Sequence, residues 1–281
     1  MHHWMCKYTG DAYGLFNDIS TLYCCWCFTG ILSGWVGAGG GIVIVPVMLW
    51  LAAQQGINTT LAMHLAVTTS LGFIMVNSLY TTFHHYRSNN LVIPLFKGTV
   101  IFTVIGALIG GQLDKIIPVA FVKILFTVII ISVLVQSFFN RINQVGRFEC
   151  QPMYPGFLSR SIMGFSVGIL ASLVGIGGSA ITNPYMQYHR YPMKKSAAMS
   201  TALAFPMGLF ALASLLASSV GMVGLPYGSV GYLYLPAFTG LLIGSLLGSP
   251  LGVWLVKRAS EQISVWVFRI ILLAVVIQMV R

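Results

Sequence analysis

The chain reads as an all-α polytopic membrane protein of two inverted repeats. Each repeat is a glycine-broken helix pair, re-entrant or kinked, plus three transmembrane helices. Three observations predict this. Of 281 residues, 57% are hydrophobic and only 7% charged, with mean hydropathy +0.86, whereas soluble domains are nearer a quarter charged. A glycine-rich break followed by proline occurs twice at constant spacing. The loop charges give one consistent orientation only if each broken run enters and leaves on the same side.

The first break is Gly37-Ala38-Gly39-Gly40-Gly41, followed by Ile42-Val43-Ile44-Val45-Pro46. The second is Gly175-Ile176-Gly177-Gly178-Ser179, followed by Ala180-Ile181-Thr182-Asn183-Pro184. Gly175 stands 138 residues after Gly37, and the same 138 separates 177 from 39 and 184 from 46. A constant offset marks an internal repeat. Matched Gly/Pro interruptions in two halves of a membrane protein point to a transport site. The likeness extends beyond the breaks. Ala62-Met63 answers Ala198-Met199, and Gly106-Ala107-Leu108-Ile109-Gly110 answers Gly244-Ser245-Leu246-Leu247-Gly248. Glycine at every fourth residue is a face on which helices approach closely in lipid, so packing is the expected role there.

In chain order, residues 1–20 are a polar to mixed N-terminal extension without a basic n-region joined to a short apolar core, so the apolar run from Thr21 is expected to be retained. The first transmembrane repeat covers 21–139. Its broken run, 21–53, has arms of about 12 to 15 residues, shorter than the ~20 a spanning helix needs. Spans are expected at 61–82, 93–113 and 119–139. Residues 140–156 form the long polar inter-repeat loop. The second repeat covers 157–281, with a run broken at 175–179 and spans expected at 197–219, 230–256 and 263–280.

The net charge is +10, from 15 Lys/Arg against 5 Asp/Glu. The basic residues are scattered singly in short loops, which points to orientation in a bilayer rather than to nucleic acid. If all eight apolar runs crossed, the Lys/Arg would divide almost evenly between the two sides. If the two broken runs do not cross, Arg87, Lys97, Arg141, Arg147, Arg160, Arg190, Lys194, Lys195, Lys257, Arg258 and Arg269 share one side. Three crossings per half then make the halves inverted. Cys24, Cys25 and Cys27 lack a partner pair at zinc spacing and read as small helix residues, so neither metal nor cofactor is expected.

A helix broken inside a membrane frees backbone N–H and C=O groups that lipid cannot satisfy. A half-helix starting there presents its N–H groups and positive dipole end, and glycine lets a ligand approach the backbone. The candidate anion-binding residues are therefore Gly37, Gly39, Gly40 and Gly41 in the first break and Gly175, Gly177, Gly178 and Ser179 in the second. Polar residues in the neighbouring runs join them: His64, Thr68, Thr69, Ser70, Asn183, Ser200 and Thr201. The competing reading is that the glycines only permit a kink and that His64 is a hydrogen-bonded core histidine. Asp11, Asp18, Glu149 and Glu261 fall in tails or loops and Asp114 at a span end. With no carboxylate at a span centre, an intramembrane acidic cation site is not expected, and an anion cargo fits better.

The Gly-x-Gly-Gly-Gly-x4-Pro pattern at 37–46, its echo at 175–184, Ala-Val-Thr-Thr-Ser at 66–70 and the glycine-rich third span resemble the TauE/SafE sulfite-exporter family, also called the toluenesulfonate uptake permeases. The resemblance covers roughly residues 22–280. It implies a secondary transporter of sulfite, sulfoacetate-like anions or sulfonates in a bacterial-type inner membrane. The chain departs at Ser179, where a third glycine is expected, and in its longer N-terminal extension. The alternatives are an anion channel, which would show faster flux, and a membrane-embedded enzyme. The sequence offers the enzyme no His/carboxylate cluster, no Ser/His/Asp set and no Walker-type Gly-Lys-Ser/Thr. The expected partners are a small anion and the lipid bilayer, not nucleic acid; a homo-oligomer stays open.

Overall fold

A computed structural model describes residues 41–54, 56–114, 116–143, 152–219, 225, 228–245 and 261–280. Gly37, Gly39, Gly40, the first arm of the first broken run, the N-terminal extension and most of the inter-repeat loop lie outside these residues. The first half contributes α1 (Gly41–Gln54), α2 (Thr59–Arg87), α3 (Ile93–Leu113) and α4 (Val119–Asn143). The second contributes α5 (Phe157–Val174), α6 (Ser179–Tyr188), α7 (Met193–Ser218), the short strands β1 (Ser229–Val230) and β2 (Leu233–Tyr234), α8 (Leu235–Ser245) and α9 (Glu261–Val280). Among the described residues, five helices are long and apolar enough to cross a membrane: α2, α3, α4, α5 and α7. Their outer faces stay apolar. Ile101 and Ile105 on α3, and Ile124, Val128 and Val135 on α4, are exposed. A water-soluble chain rarely shows such a contiguous surface; a lipid-embedded one requires it.

α2 is the central helix, with Leu65, Ala66, Val67, Leu71, Phe73 and Ile74 all buried. Asn58 caps its start by accepting the Thr60 N–H at 3.0 Å. α3 returns antiparallel to it, opened by Pro94 in its first turn, where a missing N–H does no harm. α3 and α5 then run parallel with their backbones almost touching. A Cβ on Gly106 would collide with the Phe165 carbonyl, and one on Gly168 with the Thr103 carbonyl. The Gly106/Gly110 face therefore packs against a second glycine pair of the same spacing, Gly164 and Gly168. α7 packs on α2 where Gly208 meets Leu71 and Met75, and on α3 where Ser214 meets Gly111. α9 bridges the halves. The Arg269 guanidinium donates to the Ser137 carbonyl of α4 at 2.6 Å and lies 3.9 Å from the Phe138 ring centroid, while Gln278 Nε2 donates to the Pro46 carbonyl of α1 at 2.8 Å.

α5 stops at Val174 because Gly175 turns left-handed, with φ 72°, and Gly177 follows with φ 76°. α6 then folds back along α5. Gly178 abuts Val167, the Ser159 and Tyr185 hydroxyls are 2.9 Å apart, and the Met153 N–H donates to the His189 carbonyl at 3.1 Å. The chain thus enters and leaves this pair at one end of the bundle. The arms are unequal: 18 residues in α5 and 10 in α6, or about 27 and 15 Å.

These contacts sort the turns between two ends. Gln54, Thr59, Asp114, Ser218 and the β-hairpin lie at one; Arg87, Ile93, Phe157, Tyr188 and Met193 lie at the other. One expected span changes. Residues 230–256 were read as helical throughout, but 229–234 form the β1–β2 hairpin and α8 begins only at Leu235. Left-handed Gly228 (φ 85°) and Gly231 (φ 57°) break the helix there, and Tyr232-Leu233-Tyr234 suits extended backbone.

Candidate functional site

Ile74, midway along α2, is where the two broken runs meet. A Cβ on Gly41 would stand 2.8 Å from Ile74 Cδ1 and 2.9 Å from the Ile176 carbonyl, and one on Gly177 would stand 3.3 Å from the same Ile74 atom. From this level α1 runs to the Gln54 end and α6 to the Arg87 end. Gly41 of α1 and the start of α6 therefore lie at the same depth. The first turn of a helix presents N–H groups without helical partners, and α6 opens at Ser179, directly after Gly178. Pro46 and Pro184 each stand sixth in their helix. Lacking an N–H, they also leave the carbonyls of Ile42 and Ala180 without the usual helical donor.

Side chains from α2 and α6 complete the region. The Ser70 hydroxyl donates to the Gly175 carbonyl at 2.7 Å, fixing the left-handed turn to α2. Thr68 Oγ1, Thr182 Oγ1 and Asn183 Oδ1 are buried and have no hydrogen-bond partner among the described residues. Each such group costs about 1–3 kcal/mol unless something fills it.

The structure thus brings together Gly41, Gly175, Gly177, Gly178 and Ser70, with Ser179 opening α6, and it leaves Thr68 and Asn183 unpaired. It does not gather the remaining candidates there. Thr69 instead accepts the Tyr234 N–H at 3.3 Å, tying α2 to the hairpin. The Ser200 and Thr201 hydroxyls both donate at 3.0 Å to the Ala197 carbonyl of their own helix. Gly37, Gly39 and Gly40 lie outside the described residues.

His64 is placed differently from the expectation of a pocket residue. It precedes Ile74 by ten positions on α2, about 15 Å along the axis, toward the Gln54 end. Its Nδ1 lies 2.7 Å from Asp114 Oδ2, and its ring stacks on Tyr232 with centroids 4.9 Å apart. Asp114 does sit at the end of α3, as the sequence indicated, but it is only 6% exposed. Burial and the nearby Asp114 both push the Tyr232 phenol upward, so it stays protonated. Sequence reasoning missed this pair, together with Thr182 and Ile74. One signal was present: Asp114 is the only acidic residue between Asp18 and Glu149.

Five helices long and apolar enough to cross a bilayer, with apolar outer faces, define an integral membrane protein, and the family and relatives that follow place it in the transporter class. The chain belongs to the sulfite exporter TauE/SafE family, whose model matches residues 22–279. A probable membrane transporter protein of Haemophilus influenzae is 28% identical over 227 residues, covering 79% of this chain and 83% of that protein. One from Methanocaldococcus jannaschii is 26% identical over 238 residues, covering 83% and 84%. The Bacillus subtilis probable membrane transporter protein YjnA is 26% identical over 246 residues, covering 84% and 89%. No solved structure matches.

Proposed function

We propose that this chain is a secondary transporter of small sulfur-containing or organic anions, held by backbone N–H groups where α1 and α6 begin. The observation that carries this is the meeting at Ile74 of Gly41, in α1, and Gly177, just before α6, with the two helices running from there in opposite directions. Two positive dipole ends facing one buried region favour an anion without any charged side chain. The unpaired Thr182 and Thr68 hydroxyls supply donors of the same kind.

The return of α6 to the end where α5 starts supports a re-entrant second pair. The opposite directions of α2 and α7 support inverted halves, the usual plan for sites at a repeat interface. Arg87, Lys97, Arg160, Arg190, Lys194, Lys195 and Arg269 lie toward the Arg87 end and Lys123 toward the other. The positive-inside rule then makes the Arg87 end cytoplasmic in a prokaryotic inner membrane.

The test is thermal stabilisation of the purified protein by sulfite, thiosulfate, sulfate, sulfoacetate, taurine and plain carboxylates. A ligand at 100 times its Kd adds about 2.7 kcal/mol. At least one sulfur oxyanion or sulfonate should raise Tm, and Thr182→Val should abolish that shift without lowering the unliganded Tm. No shift with any anion at millimolar concentration would sink the reading.

A further inference from the structure

We propose that the His64–Asp114 pair is the proton-binding site that couples transport to a proton gradient. The inference rests on the transporter class of the chain and not on the identity of its cargo.

Stability alone does not account for the pair. Buried ion pairs replaced by apolar side chains often leave a protein as stable or more so, whereas removing one partner is costly. The scaffold does not account for it either. The glycine break is duplicated, but at the repeat offsets His64 becomes Ser200 and Asp114 becomes Gly252. The repeat plan therefore does not supply the pair.

Its position suits coupling. The pair is nearly buried, yet the His64 side chain keeps 14% of its surface exposed, which leaves a route for exchange at the Gln54 end. On the same helix, Thr68 stands one turn further and is unpartnered, and Ser70 holds the Gly175 carbonyl. α2 therefore links the pair directly to the broken run.

The groups facing the pair are few. α3 presents Asp114, and the hairpin presents Tyr232, with Tyr234 two residues further on. α1 and α8 carry no titratable side chain. Lys194 and Lys195 of α7 and Arg160 of α5 belong to the opposite end, leaving Lys123 of α4 as the remaining described charge at this end. Neutral imidazole with carboxylate carries one negative charge. A proton taken from the Gln54 side forms imidazolium and brings the pair to zero; its release toward the Arg87 side restores the charge. Each cycle moves one proton, with no other reactant.

The test uses the full chain in liposomes, as wild type, His64→Gln and Asp114→Asn. Infrared difference spectra recorded on acidification should show an imidazole band in wild type that is absent from His64→Gln. The transport probe is isethionate, a strong-acid sulfonate that carries no proton of its own. Accumulation driven by an imposed pH gradient should be lost in both variants, while isethionate exchange stays within about twofold of wild type. Retained gradient-driven accumulation, equal loss of exchange, or no such imidazole band would each overturn the inference. If wild type exchanges no isethionate, the sulfonate reading fails and the infrared spectra decide the proton site.

Discussion

The two halves carry the same glycine break in unlike surroundings. In the second half, the turn at Gly175 is completed by a hydroxyl from the first half, Ser70. In the first half, the start of α1 rests on backbone carbonyls of the second, those of Gly175 and Ile176. Gly41 and Gly175 are thus each in contact with the other half of the chain. Polar side chains, by contrast, are not shared evenly. The first half holds a buried His–Asp pair; at the matching place the second holds Ser200, bonded within its own helix. The glycine break recurs in both halves of the sequence, whereas the His–Asp pair belongs to the first half alone.

The largest expected effect lies where α3 and α5 touch. Gly168→Leu should cost about 3 kcal/mol or more through overpacking, seen as loss of monodisperse protein and a fall in Tm. Gly156→Leu, where a Cβ meets nothing within 4 Å, should leave both unchanged. Next is the asymmetry itself. Asp114→Ala strands His64 and should cost about 3 kcal/mol in denaturant titration, against about 1 kcal/mol or less for Ser200→Ala. Equal costs at the two places would erase the contrast between the halves. Ser70→Ala removes one link between the repeats and should cost about 1–2 kcal/mol, since it leaves the Gly175 carbonyl short of a donor. The smallest effect belongs to Thr182→Val. Replacing an unpartnered buried hydroxyl with an isostere should leave the unliganded protein at least as stable, and a drop in Tm would show that the hydroxyl already has a structural role.

The helices were legible because roughly twenty apolar residues in lipid have no other way to satisfy their backbone. α3 matches its expected span, 93–113, end for end. The expected ends of α2 and α7 fell short: α2 continues to Arg87, and α7 already begins at Met193. The residues there are polar, and hydropathy marks the lipid-facing length rather than the helical length. The break at Gly175–Ser179 was legible because its signal is local and repeated. The His64–Asp114 pair was not, because its members are 50 residues apart and neither has a local pattern. The hairpin at 229–234 was hidden for the opposite reason: it is as apolar as a span, and only the left-handed glycines at 228 and 231 distinguish it.

The bond from Ser70 to the Gly175 carbonyl joins residues 105 positions apart. During synthesis at about 5–20 residues per second, Ser70 emerges from the ribosome some 5–20 s before its acceptor exists. For that interval the Ser70 hydroxyl has no such acceptor, so this link between the two halves can close only after the second broken run has been made.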